Sequence, residues 1–105
     1  MLDLNILRNL MNHDEAMVQR MLNIAKEQLP NMMSDLKQFI ANLDYANVSI
    51  MAHSLKAQLL YLGATECAEI AQNIESFADK QDKNLIISDI SQQLETNIQL
   101  LMKEF

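Results

Sequence analysis

Only one glycine, one proline and one cysteine occur in these 105 residues, tryptophan is absent, and aromatic side chains make up 5% of the chain. With so few turn-formers and ring side chains set against many Leu, Ile, Met, Ala, Gln and Asn, helices joined by short connections are favoured over any sheet. The lone Cys67 excludes an intramolecular disulfide, and its neighbours Ala68 and Ile70 mark it as an ordinary buried thiol suited to a reducing compartment. Basic residues are scarce as well: eight Lys and Arg against fourteen Asp and Glu leave a net charge of -6. That balance argues against a nucleic-acid partner, which would need clustered cations. No run approaches the roughly 20 apolar residues of a membrane span, and Met1–Asn5 has no basic region leading into an apolar one. The expectation is a cytoplasmic protein without membrane insertion. A glycine-rich phosphate loop, a nucleophile elbow and a clustered acid–base pair are all missing, so the chain is not expected to be a self-contained hydrolase, transferase or kinase. His13, His53 and Cys67 are the only imidazole or thiol ligands and no Glu-x-x-His pair occurs, so no metal or haem site is expected.

What is present is hydrophobicity: half of the residues are apolar, enough to bury one core, and residues 1–105 read as one domain. Leu4, Leu7 and Leu10 or Met11 mark a short first helix ending near Asn12-His13, after which Asn12 or Asp14 is available as a cap. Val18, Met21, Leu22, Ala25 and Leu29, then Met32, Met33, Leu36, Ile40 and Leu43, recur at helical spacing on both sides of Pro30. This predicts one long bent helix rather than two. A turn is expected over Asp44–Asn47, a helix from about Tyr45 to Leu62 ended by Gly63, and Thr65 as the next cap. Cys67, Ile70, Ala71, Ile74, Phe77 and Ala78 form the following stripe, Asp79–Asn84 a charged turn, and Leu85, Ile87, Ile90, Leu94, Ile98, Leu101 and Phe105 the last core face. The eight methionines read as pliable filler, with Met17, Met21, Met32, Met33 and Met51 following the stripes. The fold class is all-α: an antiparallel up-down four-helix bundle with a short additional N-terminal helix across one end.

The segment Ala52-His53-Ser54-Leu55-Lys56-Ala57-Gln58 is the most informative one. At about 100° per residue, Val48, Met51, Ala52, Leu55, Leu59 and Leu62 share one arc, and His53 falls about 150° from its centre. His53 and Lys56 should therefore both face water. Ile50, Ala57, Leu60 and Tyr61 make the outward face apolar too, which suggests a docking patch, with Ser49 and Gln58 at its margins. A neutral imidazole is a competent nucleophile near neutral pH, and a lysine three residues on is placed to pair with a phosphoryl group carried by the ring. If the turn at Gly63-Ala64 reverses the chain, residues equidistant from it come level, which sets Glu75 opposite His53 and Gln72 opposite Lys56. Either Glu75 or Gln72 could accept the second ring N–H and fix the tautomer.

His53-Ser54-Leu55-Lys56-Ala57, with Leu62-Gly63-Ala64 close behind, resembles the His-x-Leu-Lys-(Gly/Ala) core of the histidine phosphotransfer (HPt) family of multistep phosphorelays. The short lead helix, the proline midway along a long helix and two antiparallel helices after the motif extend the resemblance over nearly the whole chain. The resemblance implies that His53 accepts a phosphoryl group from a receiver-domain aspartate and passes it to another receiver. The partners would then be receiver domains of response regulators or hybrid sensor kinases, with Mg²⁺ held by the receiver and no cofactor in this chain, which is expected to be a monomer. Lys56 would stabilise the phosphate. The position after the lysine is usually glycine, whereas here it is Ala57, and Gln58 stands where small residues are common. The competing reading is a docking or inhibitory bundle that uses the same face without phosphorylation.

Overall fold

The computed structural model describes residues 2–80 and 86–105, with the backbone alone at position 86. Five helices follow one another: α1 Asn5–Leu10, α2 Glu15–Ala41, α3 Tyr45–Tyr61, α4 Thr65–Asp79 and α5 Ile86–Met102, with no strand among the described residues. Helices α2 to α5 form an antiparallel four-helix bundle in which α2 packs on α3 and α5, and α4 packs on α3 and α5; α1 lies against α2. At about 1.5 Å per residue, the 27 residues of α2 nearly span the 44 Å long axis.

The starts of α2 and α3 are each explained by a local acceptor. Asp14 caps α2 by accepting from the amides of Ala16 and Met17, while Asn12 and His13 take left-handed backbone to make the bend before it. Pro30 lies within α2, which continues through it as one helix; Leu29, Met33 and Leu36 stay buried on either side. Asp44 caps α3 through the amide of Asn47 and also accepts from the Asn47 side chain at 2.7 Å.

The core is a continuous apolar column: Val18, Leu22, Leu29 and Leu36 of α2, Val48, Leu55 and Leu59 of α3, Cys67, Ala71 and Ile74 of α4, and Ile87, Leu94, Ile98 and Leu101 of α5. Several expectations need correction. Leu43 is not a core residue: it has φ +56° and is 66% exposed, because the α2–α3 turn falls at Asn42–Asp44, before Tyr45 rather than over Asp44–Asn47. Met17 and Met21 are exposed, since α1 covers too little of α2 to bury that edge of its stripe. Leu10 is exposed as well, leaving Leu7 as the buried anchor of α1 with Met11 packed beside it. Thr65 is the first residue of α4 and makes no side-chain cap; Ala64 occupies the capping position. Asp79 ends α4, and Gln81–Asn84 of the expected turn, together with Leu85, lie outside the described residues.

The α3–α4 connection is the tightest point of the fold. Leu62 closes α3, Gly63 takes φ +71°, and the amides of Gly63 and Ala64 return to the carbonyls of Leu60 and Leu59. The N-terminal segment crosses directly over it, with the Asp3 amide donating to the Leu62 carbonyl at 2.9 Å. A side chain at position 63 would put its Cβ 2.3 Å from the Asp3 carbonyl oxygen. Backbone strain and steric overlap therefore coincide. Gly63→Ala is expected to destabilise the fold by about 1–3 kcal/mol, read as a lowered thermal midpoint; an unchanged midpoint would refute the need for glycine at this crossing.

Candidate functional site

The turn at Gly63 fixes the register in which α4 returns beside α3. Three polar pairs cross the two helices, each equidistant from Ala64: Ser49 with Asp79, His53 with Glu75, and Lys56 with Gln72. They lie three or four residues apart along each helix and so follow one seam.

His53 sits in the middle of this seam with its side chain 66% exposed, while Glu75 is only 16% exposed. Nδ1 of His53 lies 3.0 Å from Glu75 Oε2 and 3.2 Å from Oε1. A carboxylate accepts and does not donate, so in the neutral ring this contact requires the proton on Nδ1 and leaves the lone pair on Nε2. The nucleophilic nitrogen is then the one on the edge away from Glu75. Of the two acceptors considered for that ring N–H, Glu75 is the one in contact with it, and Gln72 is engaged elsewhere.

Lys56 is half-buried rather than simply water-facing. Its ammonium donates to Gln72 Oε1 at 2.5 Å, above a depression of about 250 Å³ between α3 and α4. It remains the only basic side chain between Phe39 and Asp79. Ser49 donates to the Asp79 carboxylate and is half-buried.

Around the imidazole the outward face is apolar. Ile50 is 64% and Tyr61 52% exposed, Leu60 is also exposed, and Ala57 is half-buried beside them. Gln58 does not point along this face, since it donates to Gln28 of α2 at 2.8 Å and forms part of an apolar groove of about 170 Å³. Leu7, Met21, Ile24 and Tyr61 line the same groove. Sequence reasoning missed the α2 contribution. The signal was present in Met17, Met21, Ile24 and Gln28, which recur at helical spacing one step off the core stripe.

Other candidate chemistry is thin. Among the described residues no group of three or more His, Cys, Asp or Glu is arranged to hold a metal ion, and no helix is long and apolar enough to cross a membrane. His13 is exposed at the start of α2, far along the chain from the seam. Burial pushes the Cys67 thiol above its ordinary value of 9.0, and the neighbouring Glu66 carboxylate adds to the rise.

A sequence model described as the Hpt domain matches residues 20–104. No curated protein and no solved structure matches the chain.

Two outcomes follow from this geometry. In the neutral ring, ¹⁵N NMR should show His53 as the Nδ1–H tautomer, and Glu75→Ala should shift it toward a mixture; an unshifted pattern would remove Glu75 from this role. Because the folded state raises the Cys67 pKa, the stability gained by keeping the thiol neutral is complete below 9.0 and declines as pH rises past it. Denaturant titrations between pH 8 and 10.5 should show that alkaline loss diminished in Cys67→Ala.

Proposed function

Because the chain belongs to the Hpt domain family, we propose that His53 is its phosphorylated residue, accepting a phosphoryl group from one receiver domain and yielding it to another. Hpt domains serve phosphotransfer in two-component signalling, act as phosphocarriers rather than catalysts, and interact with receiver domains. The observation that carries the assignment is a solvent-facing imidazole whose Nδ1 is held by a largely buried carboxylate.

In the proposed reaction the Nε2 lone pair attacks phosphorus of a receiver aspartyl phosphate. The bond from phosphorus to the aspartyl oxygen breaks, and that carboxylate leaves with the electron pair. No proton has to move, since Nδ1–H stays on the ring, and the positive charge that develops on the imidazole faces Glu75. Transfer onward reverses the step, with a second aspartate carboxylate attacking phosphorus and Nε2 leaving. Lys56 offsets phosphate charge as a compact ammonium. The receiver supplies Mg²⁺ and the remaining catalytic groups, so this chain needs no cofactor of its own.

Ile50, Leu60 and Tyr61 provide the apolar ground on which a receiver docks, with Ser49 at one edge, while Gln58 belongs to the adjoining α2 groove. The α2 side of the groove extends that ground beyond Tyr61. Ala57 stands where a glycine would leave the most room beside the ring. Its methyl narrows the approach and leaves the nucleophile in place.

His53→Gln should fold with an unchanged circular dichroism spectrum yet take up no acid-labile label from a phosphorylated receiver, and continued labelling would refute the assignment. Lys56→Ala should bind receivers about as well as wild type while the phosphorylated form decays about tenfold faster. An unaltered decay rate would remove Lys56 from the site.

A further inference from the structure

Lys56 and Gln72 meet in an arrangement whose orientation chemistry dictates. An ammonium only donates, so the Gln72 amide must turn its oxygen to Lys56, and its NH₂ group then faces Ser76 Oγ at 3.3 Å. Ser76 thus aims the amide. All three groups are half-buried, and the ammonium is drawn over α4 into the depression that it shares with Leu60 and Glu69. The nitrogen assigned to phosphorylation is on the other edge of the neighbouring ring, away from α4's Glu75. Lys56 therefore has two possible acceptors, one present before phosphorylation and one created by it.

We propose that Gln72 is a positioning residue that parks the Lys56 ammonium on α4 while His53 is unmodified and surrenders it to the phosphoryl group once His53 carries one. This inference rests on the phosphotransfer reading above. A parked cation is kept off the Nε2 edge, where it would oppose the cationic ring that forms during attack. A phosphoryl group carries roughly -1.5 to -2 charge near neutral pH, and hydrogen bonds between two charged partners exceed those to a neutral amide. The exchange is therefore downhill, yet it forfeits the amide contact. Gln72 in this way sets how much of the Lys56 attraction reaches the phosphoryl group. A glutamate at the same position would hold the ammonium as an ion pair and oppose its release.

The test uses phosphoramidate as a small donor that needs no receiver, together with one phosphorylated receiver, on the full chain. Gln72→Met removes the acceptor with little change in volume. It should lengthen the half-life of the acid-labile phosphate, and raise its equilibrium occupancy against the receiver, by about fivefold. Gln72→Glu should lower both by a similar factor. In a Lys56→Met background, Gln72→Met should have no effect on either quantity, as expected of a residue acting through its partner. Thermal melts of each variant separate folding defects, which a merely structural contact between α3 and α4 would produce without changing the half-life. An unchanged half-life in Gln72→Met, or the same change with and without Lys56, would overturn the parking role and leave the phosphotransfer reading standing. Failure of the wild-type chain to take acid-labile label from either donor would sink both.

Discussion

The register between α3 and α4 is the constraint on which the site depends. It is set at Gly63, where a left-handed backbone and the absence of a side chain let the chain reverse beneath the Asp3 crossing. Because the reversal is so short, the residues on the α4-facing side of α3 meet partners on α4 fixed by their distance from Ala64. Sliding α4 by one residue would rotate Glu75 by about 100° and take it off the seam. The contacts of Ser49, His53 and Lys56 are thus consequences of one turn rather than three separate accidents of packing.

Below the seam, the bundle supplies stiffness. Ala52, Leu55 and Leu59 are fully buried on the opposite side of α3, so the helix cannot roll without exposing them. That anchoring holds His53 outward at a defined angle. The polar seam and the apolar outward face then meet at a single ring. On one flank lie carboxylate, amide and ammonium; on the other lie Ile50 and Tyr61, continuous with the α2 groove through Tyr61 and Gln58. In the proposed reaction the first flank handles charge and the second handles contact with the visiting protein.

Much of this was legible in the sequence, for reasons that differ by residue. The bundle was legible because the stripes of α2 to α5 repeat at helical spacing, and the level positions of Glu75 and Gln72 followed from counting away from Gly63-Ala64. The choice between them as the acceptor for the ring was not legible, since spacing places backbones and says nothing about which of two long side chains a lysine will claim. Leu43 looked like core because the stripe gave no sign that the chain would leave the helix at Asn42. Met17 and Met21 looked buried because periodicity reports a face and not its cover, and six residues of α1 are too few to cover this one. Thr65 had the chemistry of a cap, but the turn ended one residue too early for it to serve.

The hold of Glu75 on Nδ1 leaves the imidazole with a single usable doorway. In the proposed relay, whatever delivers a phosphoryl group and whatever carries it off come to the same nitrogen, from the same side, and so cannot be present together. A chain built this way works as a turnstile: traffic in either direction is serial, and a visitor that lingers after the exchange blocks the next. Throughput would then be governed less by the speed of the chemistry than by how promptly each caller departs.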